Sequence, residues 1–109
     1  MGSALYISIK DKPKELDSFM NGKALARAWE ALDRISEELK LPNLNKLCNN
    51  AWKAPEKGIP IFESYLAYVT KHPDSVPDAE EVVEDLRDVI RLIGEAGKLG
   101  TKWRLLLDY

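Results

Sequence analysis

The sequence holds one cysteine, Cys48, and one histidine, His72, in 109 residues. A single thiol excludes an intrachain disulfide, and one thiol with one imidazole makes no ligand set for a first-row metal, so no cofactor is expected. No stretch approaches the roughly 18 consecutive apolar residues that read as a membrane span. The amino end lacks the basic region, the long apolar run and the small-residue cleavage site of a secretory signal. It also lacks a myristoylation pattern, because Tyr6 stands where Ser or Thr is required. These absences predict a cytoplasmic protein. A dominant charge sign is missing too: 16 basic and 18 acidic residues give a net charge of −2. Such a chain has no global positive field to attract nucleic acid or an anionic membrane, and neither is expected as a partner. Internal repeats and low-complexity segments are absent.

What is present fits one globular domain spanning 1–109, with 45% hydrophobic and 31% charged residues. Leu5, Ile7 and Ile9 alternate with Tyr6 and Ser8, the period of a half-buried strand, and Asp11-Lys12-Pro13 stops it. The charged run from Lys10 to Asp17 reads as a solvated connection. Leu25, Ala28, Trp29, Leu32, Ile35 and Leu39 recur every three or four residues and predict a helix over 22–40, capped by Ser18 or Asn21 and closed by Leu41-Pro42. Leu44, Leu47 and Cys48 suggest a short helix within a less legible stretch. A second helix runs from Pro60 to His72, with Phe62, Leu66 and Val69 as its core line and Ile61, Tyr65 and Tyr68 beside it. A third runs from Asp78 to Ala96 on Val82, Val83, Leu86, Val89, Ile90 and Ile93, with Asp78 and Glu81 at capping-box spacing and Gly97 or Gly100 fitting its C-cap. The closing residues alternate again, Trp103, Leu105, Leu107 and Tyr109 on one face.

Strand, helices, strand is an α+β order. Two isolated strands are marginal, so the terminal strands are expected to pair in a small sheet covered by three main helices and one short one; the pattern does not fix their direction, and antiparallel pairing is favoured over parallel. Such a sheet has open edges, which predicts continuation across a two-fold axis into a homodimer.

Several stretches together (ALYISI, LDSFMNGKALARAWEALDRI, FESYLAYVTKHP, VVEDLRDVIRLI and KWRLLLDY) resemble a small group of uncharacterised bacterial proteins. The group shares an N-terminal strand, an FxNGKAL-like helix start and an aromatic-rich C-terminal strand ending Asp-Tyr. The resemblance covers most of the chain except about 41–58. It implies a bacterial, cytoplasmic protein and carries over no catalytic residue.

No catalytic constellation emerges from the residues themselves. Cys48 and His72 form the one nucleophile–base pair available, but each has a plainer reading, as a small hydrophobe and as a helix-end residue. The glycine-rich GEAGKLGT at 94–101 is no phosphate loop: Leu99 follows the lysine, and the segment leads from helix to strand. Asp74, Asp78, Glu80, Glu81, Glu84, Asp85 and Asp88 crowd one region without the calcium-loop pattern, and read as a solvated acidic helix start. Trp52-Lys53 and Lys102-Trp103-Arg104 are the only places where aromatics stand among basic residues. Tyr65 and Tyr68, with Trp52, are candidates to line a groove, although aromatics at helical spacing more often pack in a core. The candidate ligand or interface residues are therefore Tyr65, Tyr68, His72, Trp52 and Trp103.

Charge asymmetry is more telling. Residues 1–60 carry ten basic and eight acidic groups; residues 61–109 carry six and ten. An acidic helical face suits a basic protein partner, or serves solubility alone. The sequence thus predicts a small interaction protein, homodimeric and without a catalytic motif. The alternative is a small enzyme or ligand-binding protein with a pocket near the 60–72 helix.

Overall fold

A computed structural model describes residues 4–11, 22–48 and 51–108. Strand β1 (Ala4–Ile9) is followed by helices α1 (Lys23–Arg27), α2 (Trp29–Leu39), α3 (Leu44–Leu47), α4 (Ile59–Lys71) and α5 (Ala79–Lys98), and strand β2 (Trp103–Asp108) closes the chain. Short 3₁₀ turns at Pro55–Lys57 and Pro73–Ser75 lead into α4 and follow it. The α+β expectation holds, and so does the pairing of the strands at the two ends of the chain. β1 and β2 form a two-stranded antiparallel sheet in the register Leu5↔Leu107, Ile7↔Leu105 and Ile9↔Trp103.

Alternation places Leu5, Ile7, Ile9, Trp103 and Leu105 against the helices, where all are buried. α5 is the central element: it packs on α4, α1 and β1, and buries Val82, Leu86, Val89, Leu92, Ile93 and Ala96. Trp103 fills the space between sheet and helices. Its ring meets Phe62 edge-on at 6.0 Å, and its Nε1 donates to the Ala54 carbonyl at 2.9 Å. Gly58 lies against this indole so closely that a Cβ there would come within 2.3 Å of it.

The helix expected over 22–40 is interrupted at Ala28, whose φ of −92° and ψ of 9° leave the helical region and split it into α1 and α2. Its proposed caps Ser18 and Asn21 lie outside the described residues, as do most of the charged connection, Asn49-Asn50 and Tyr109. The described N-cap is Gly22, at φ 71°, which has no side chain to cap with. Its carbonyl instead accepts the Leu5 N–H at 3.0 Å and so ties β1 to α1. α2 ends on Lys40 in the left-handed region, with the Leu41 N–H reaching back to the Ser36 carbonyl at 2.9 Å. α5 ends in the same way through Gly100, at φ 68°, and not through Gly97.

Two further expectations are corrected. Asp78 precedes α5 at φ 51° and makes no side-chain cap, because its carboxylate faces Arg27 across the groove to α1. On α4 the fully buried line is Phe62, Tyr65 and Val69, while Leu66 is only partly covered. The i, i+3, i+7 spacing of the buried set selects Tyr65 over Leu66 as the inward residue.

Candidate functional site

The five sequence candidates do not converge. Trp103 and Tyr65 are both fully buried, so they pack in the core. The Tyr65 hydroxyl donates to the Pro42 carbonyl at 3.2 Å, and burial pushes its phenol up to about 12, against a lowering by Ser36 and a smaller raising by Asp33. Tyr68 and His72 meet at the end of α4 with ring centres 4.6 Å apart and ring planes tilted by 46°. Tyr68 donates to a Glu38 carboxylate oxygen at 2.7 Å, and that bond holds its phenol above the usual range. Trp52 lies instead over Arg104 of β2, 4.3 Å from guanidinium carbon to ring centre. Cys48 has Lys53 as its charged neighbour. Burial raises the thiol and lowers the amine, with each partner's charge opposing the shift. Lys53 Nζ donates to the Leu47 and Ala51 carbonyls. Among the described residues, no group of three or more His, Cys, Asp and Glu side chains is arranged to hold a metal ion.

The outer surface of α5 gathers the most chemistry. A groove of about 390 Å³ runs between the end of α4 and the first turns of α5. Val69, Pro73, Ala79 and Val83 give it an apolar floor, and Glu80, Glu84 and Arg87 stand on its rim. A second groove, of about 360 Å³, lies on the other side of the same helix, between α1 and α5. Glu81, Glu84, Asp85 and Asp88 line it with Lys23 and Arg27. Glu84 is common to both.

Local sequence explains this placement. The buried stripe of α5 repeats every three or four residues, so the acids between stripe positions emerge along both its flanks. Clustering near the N-terminus suits the helix dipole. Arg27 partly neutralises the second groove, through Asp78 at 3.2 Å and Glu81 at 2.9 Å, and all three side chains are at least half exposed. Asp85 differs. It is buried, and its Oδ2 accepts the Leu25 N–H at 3.3 Å. Leu25 is the third residue of α1, so Asp85 caps from α5 the helix start that Gly22 cannot cap. Sequence reasoning placed Asp85 in a solvated acidic cluster. Its position within the helical stripe, three residues beyond Val82, was the signal that it faces inward.

The pocket expected near the 60–72 helix has a partial counterpart here, since the first groove borders the end of α4. Neither this groove nor a third, between Pro55 and Thr101, takes Tyr65, Tyr68, His72 or Cys48 into its lining. No family model, curated protein or solved structure matches this chain.

Proposed function

We propose that this chain is a small protein-interaction module, and that the outer face of α5 docks a basic partner segment carrying an apolar anchor residue. The carrying observation is the pair of grooves that share Glu84, one apolar-floored and the other acidic. Their walls offer four carboxylates, Glu80, Glu81, Glu84 and Asp88, with Asp85 buried at the base of the second groove, against Lys23, Arg27 and Arg87. An apolar side chain on the Val69–Val83 floor supplies buried area, while lysines or arginines beside it meet the rim. The acids speed encounter and fix orientation more than they add affinity, so binding should weaken with salt.

A fluorescent amphipathic peptide with leucine anchors flanked by arginines, followed by anisotropy, tests this reading. Glu84→Lys and Val83→Ser should each weaken binding, the first mainly at low salt and the second at all salt concentrations. Equal weakening by Glu37→Lys, an exposed acid on α2 outside both grooves, would reduce the interaction to unspecific charge attraction and end the proposal.

A second reading, self-association into a homodimer, has its own support at the sheet edge. Lys10 donates to the Lys102 carbonyl at 2.9 Å, so even-numbered residues form the bonded pairs of the ladder and odd-numbered ones turn their backbone groups outward. Leu5 spends its outward N–H on Gly22, and Trp103 exchanges two bonds with Lys53. Beyond Trp103, the outward groups of Leu105 and Leu107 find no backbone partner among the described residues. Pairing of two such edges about a two-fold axis extends the sheet. Light scattering across a hundredfold dilution should then show a dimer mass that Leu107→Pro, at a partly covered position whose N–H faces outward, abolishes with helical content retained. A monomer throughout would dismiss the dimer and leave the α5 reading untouched.

A further inference from the structure

The face of the sheet opposite the helices gathers basic residues, well apart from the acids of α5. Alternation places Ala4, Tyr6, Ser8 and Lys10 of the first strand and its extension there, beside Lys102, Arg104 and Leu106 of the second; none of these residues is buried. The register sets Lys10 directly opposite Lys102, and Ser8 opposite Arg104. Three basic residues therefore occupy adjoining positions on one face, with Cβ atoms about 5–8 Å apart by sheet geometry. Like charges directly opposite each other destabilise a sheet. The ion pairs seen among the described residues involve Arg27 of α1, Asp78 just before α5, and residues of α5.

Arg104 sharpens the case. Its guanidinium lies against the Trp52 ring, and its Nε is buried with no acceptor. With its Nε out of water and no carboxylate partner among the described residues, this partly exposed guanidinium keeps its charge for an external anion. The two sequence segments that set aromatics among basic residues, Trp52-Lys53 and Lys102-Trp103-Arg104, meet at this point of the fold. Trp103 turns inward and Trp52 covers Arg104.

We propose that Lys10, Lys102 and Arg104 form a binding site for a single phosphate group. Three cations at adjoining positions match a dianion better than the single charge of a carboxylate, and the guanidinium fork suits phosphate oxygens. The net charge of −2 and the acidic α5 disfavour a long polyanion such as nucleic acid. The phosphate can be free, carried by a nucleotide or carried by a phosphorylated side chain, and the experiment separates these sources.

Amide and indole NMR shifts of the full chain would be followed during titration with sodium phosphate, AMP and O-phosphoserine, with sodium chloride at matched ionic strength as the control. The expected result is saturable shifts at Ser8, Lys10, Trp52, Lys102 and Arg104 with phosphate-bearing compounds and none with chloride. The tightest of the three identifies the source. Lys10→Gln and Lys102→Gln, both on exposed positions where the fold tolerates change, should each weaken binding several-fold; Arg104→Lys keeps the charge without the fork and should weaken it too. Absence of saturable shifts, or titrations unchanged in both glutamine variants, would overturn the proposal. So would a response to a single-stranded oligonucleotide with none to phosphate or AMP.

Discussion

Replacing Gly58 by alanine should cost more than any surface change, and replacing Trp103 by phenylalanine should give part of that cost back. Gly58 has φ −108°, which any residue adopts, so the penalty is purely one of space. An alanine Cβ would lie 2.3 Å from Cζ2 and 2.7 Å from Cε2 of Trp103, and 3.0 Å from Cδ1 of Ile93. The indole cannot give way easily: it is fully buried, edge-on to Phe62, and held by its bond to the Ala54 carbonyl. Overpacking of this kind costs about 1–3 kcal/mol, and a rigid neighbour puts Gly58→Ala near the top of that range. Trp103→Phe alone removes the ring atoms that clash. It also leaves a cavity and an unsatisfied carbonyl, for a loss of about 2–4 kcal/mol. In the double variant the methyl occupies space vacated by the indole. The pair should therefore fall short of additivity by about 1–2 kcal/mol, a coupling that urea unfolding of the four proteins of the cycle resolves. Strict additivity would mean that Gly58 and Trp103 are not in contact, and the packing of α4 against the sheet described above would be wrong.

Other perturbations address the remaining joints of the fold. Gly22→Ala places a Cβ 1.7 Å from the Leu5 carbonyl oxygen at φ 71°; collision with backbone and left-handed strain together should leave the chain largely unfolded by circular dichroism, whereas a Tm near that of the wild type would refute the β1–α1 tie. Asp85→Ala should lose about 1–2 kcal/mol through the orphaned Leu25 N–H, with Asp85→Asn, which keeps an acceptor, losing less. Equal losses would show that the carboxylate's charge matters and its bond does not. Tyr65 has its folded pKa raised from 10 to about 12, so its contribution is complete below pH 10 and fades as pH rises toward 12. Urea midpoints should accordingly fall between pH 10 and 12 by the equivalent of about 2–3 kcal/mol, and the fall should shrink in Tyr65→Phe.

Period-two and period-3.6 patterning made the fold legible. Both strands, the buried positions Leu5, Ile7 and Ile9, and the stripes of α2 and α5 follow from the spacing of apolar residues alone. The break at Ala28 was invisible because alanine is the best of helix formers, and nothing local announces a change of direction there. The Asp78 cap failed for a tertiary reason: Arg27, 51 positions away, offered its carboxylate an ion pair. Site residues were harder still. A sequence window contains Trp52 and Arg104 only as separate fragments, and their stacking depends on the short bridge that sets Lys53 beside Trp103. The acidic character of α5 was evident from composition. The apolar groove beside it was not, because Val69 and Pro73 come from a different segment.

The most direct test of the interaction reading is to map where the leucine–arginine peptide binds, by amide shift perturbation on the full chain. Shifts should cluster on Val69, Thr70, Glu80, Val83, Glu84 and Arg87, in both walls of the first groove, and Glu84→Lys should remove them. Shifts scattered over acidic residues throughout the molecule, or confined to the sheet, would contradict it.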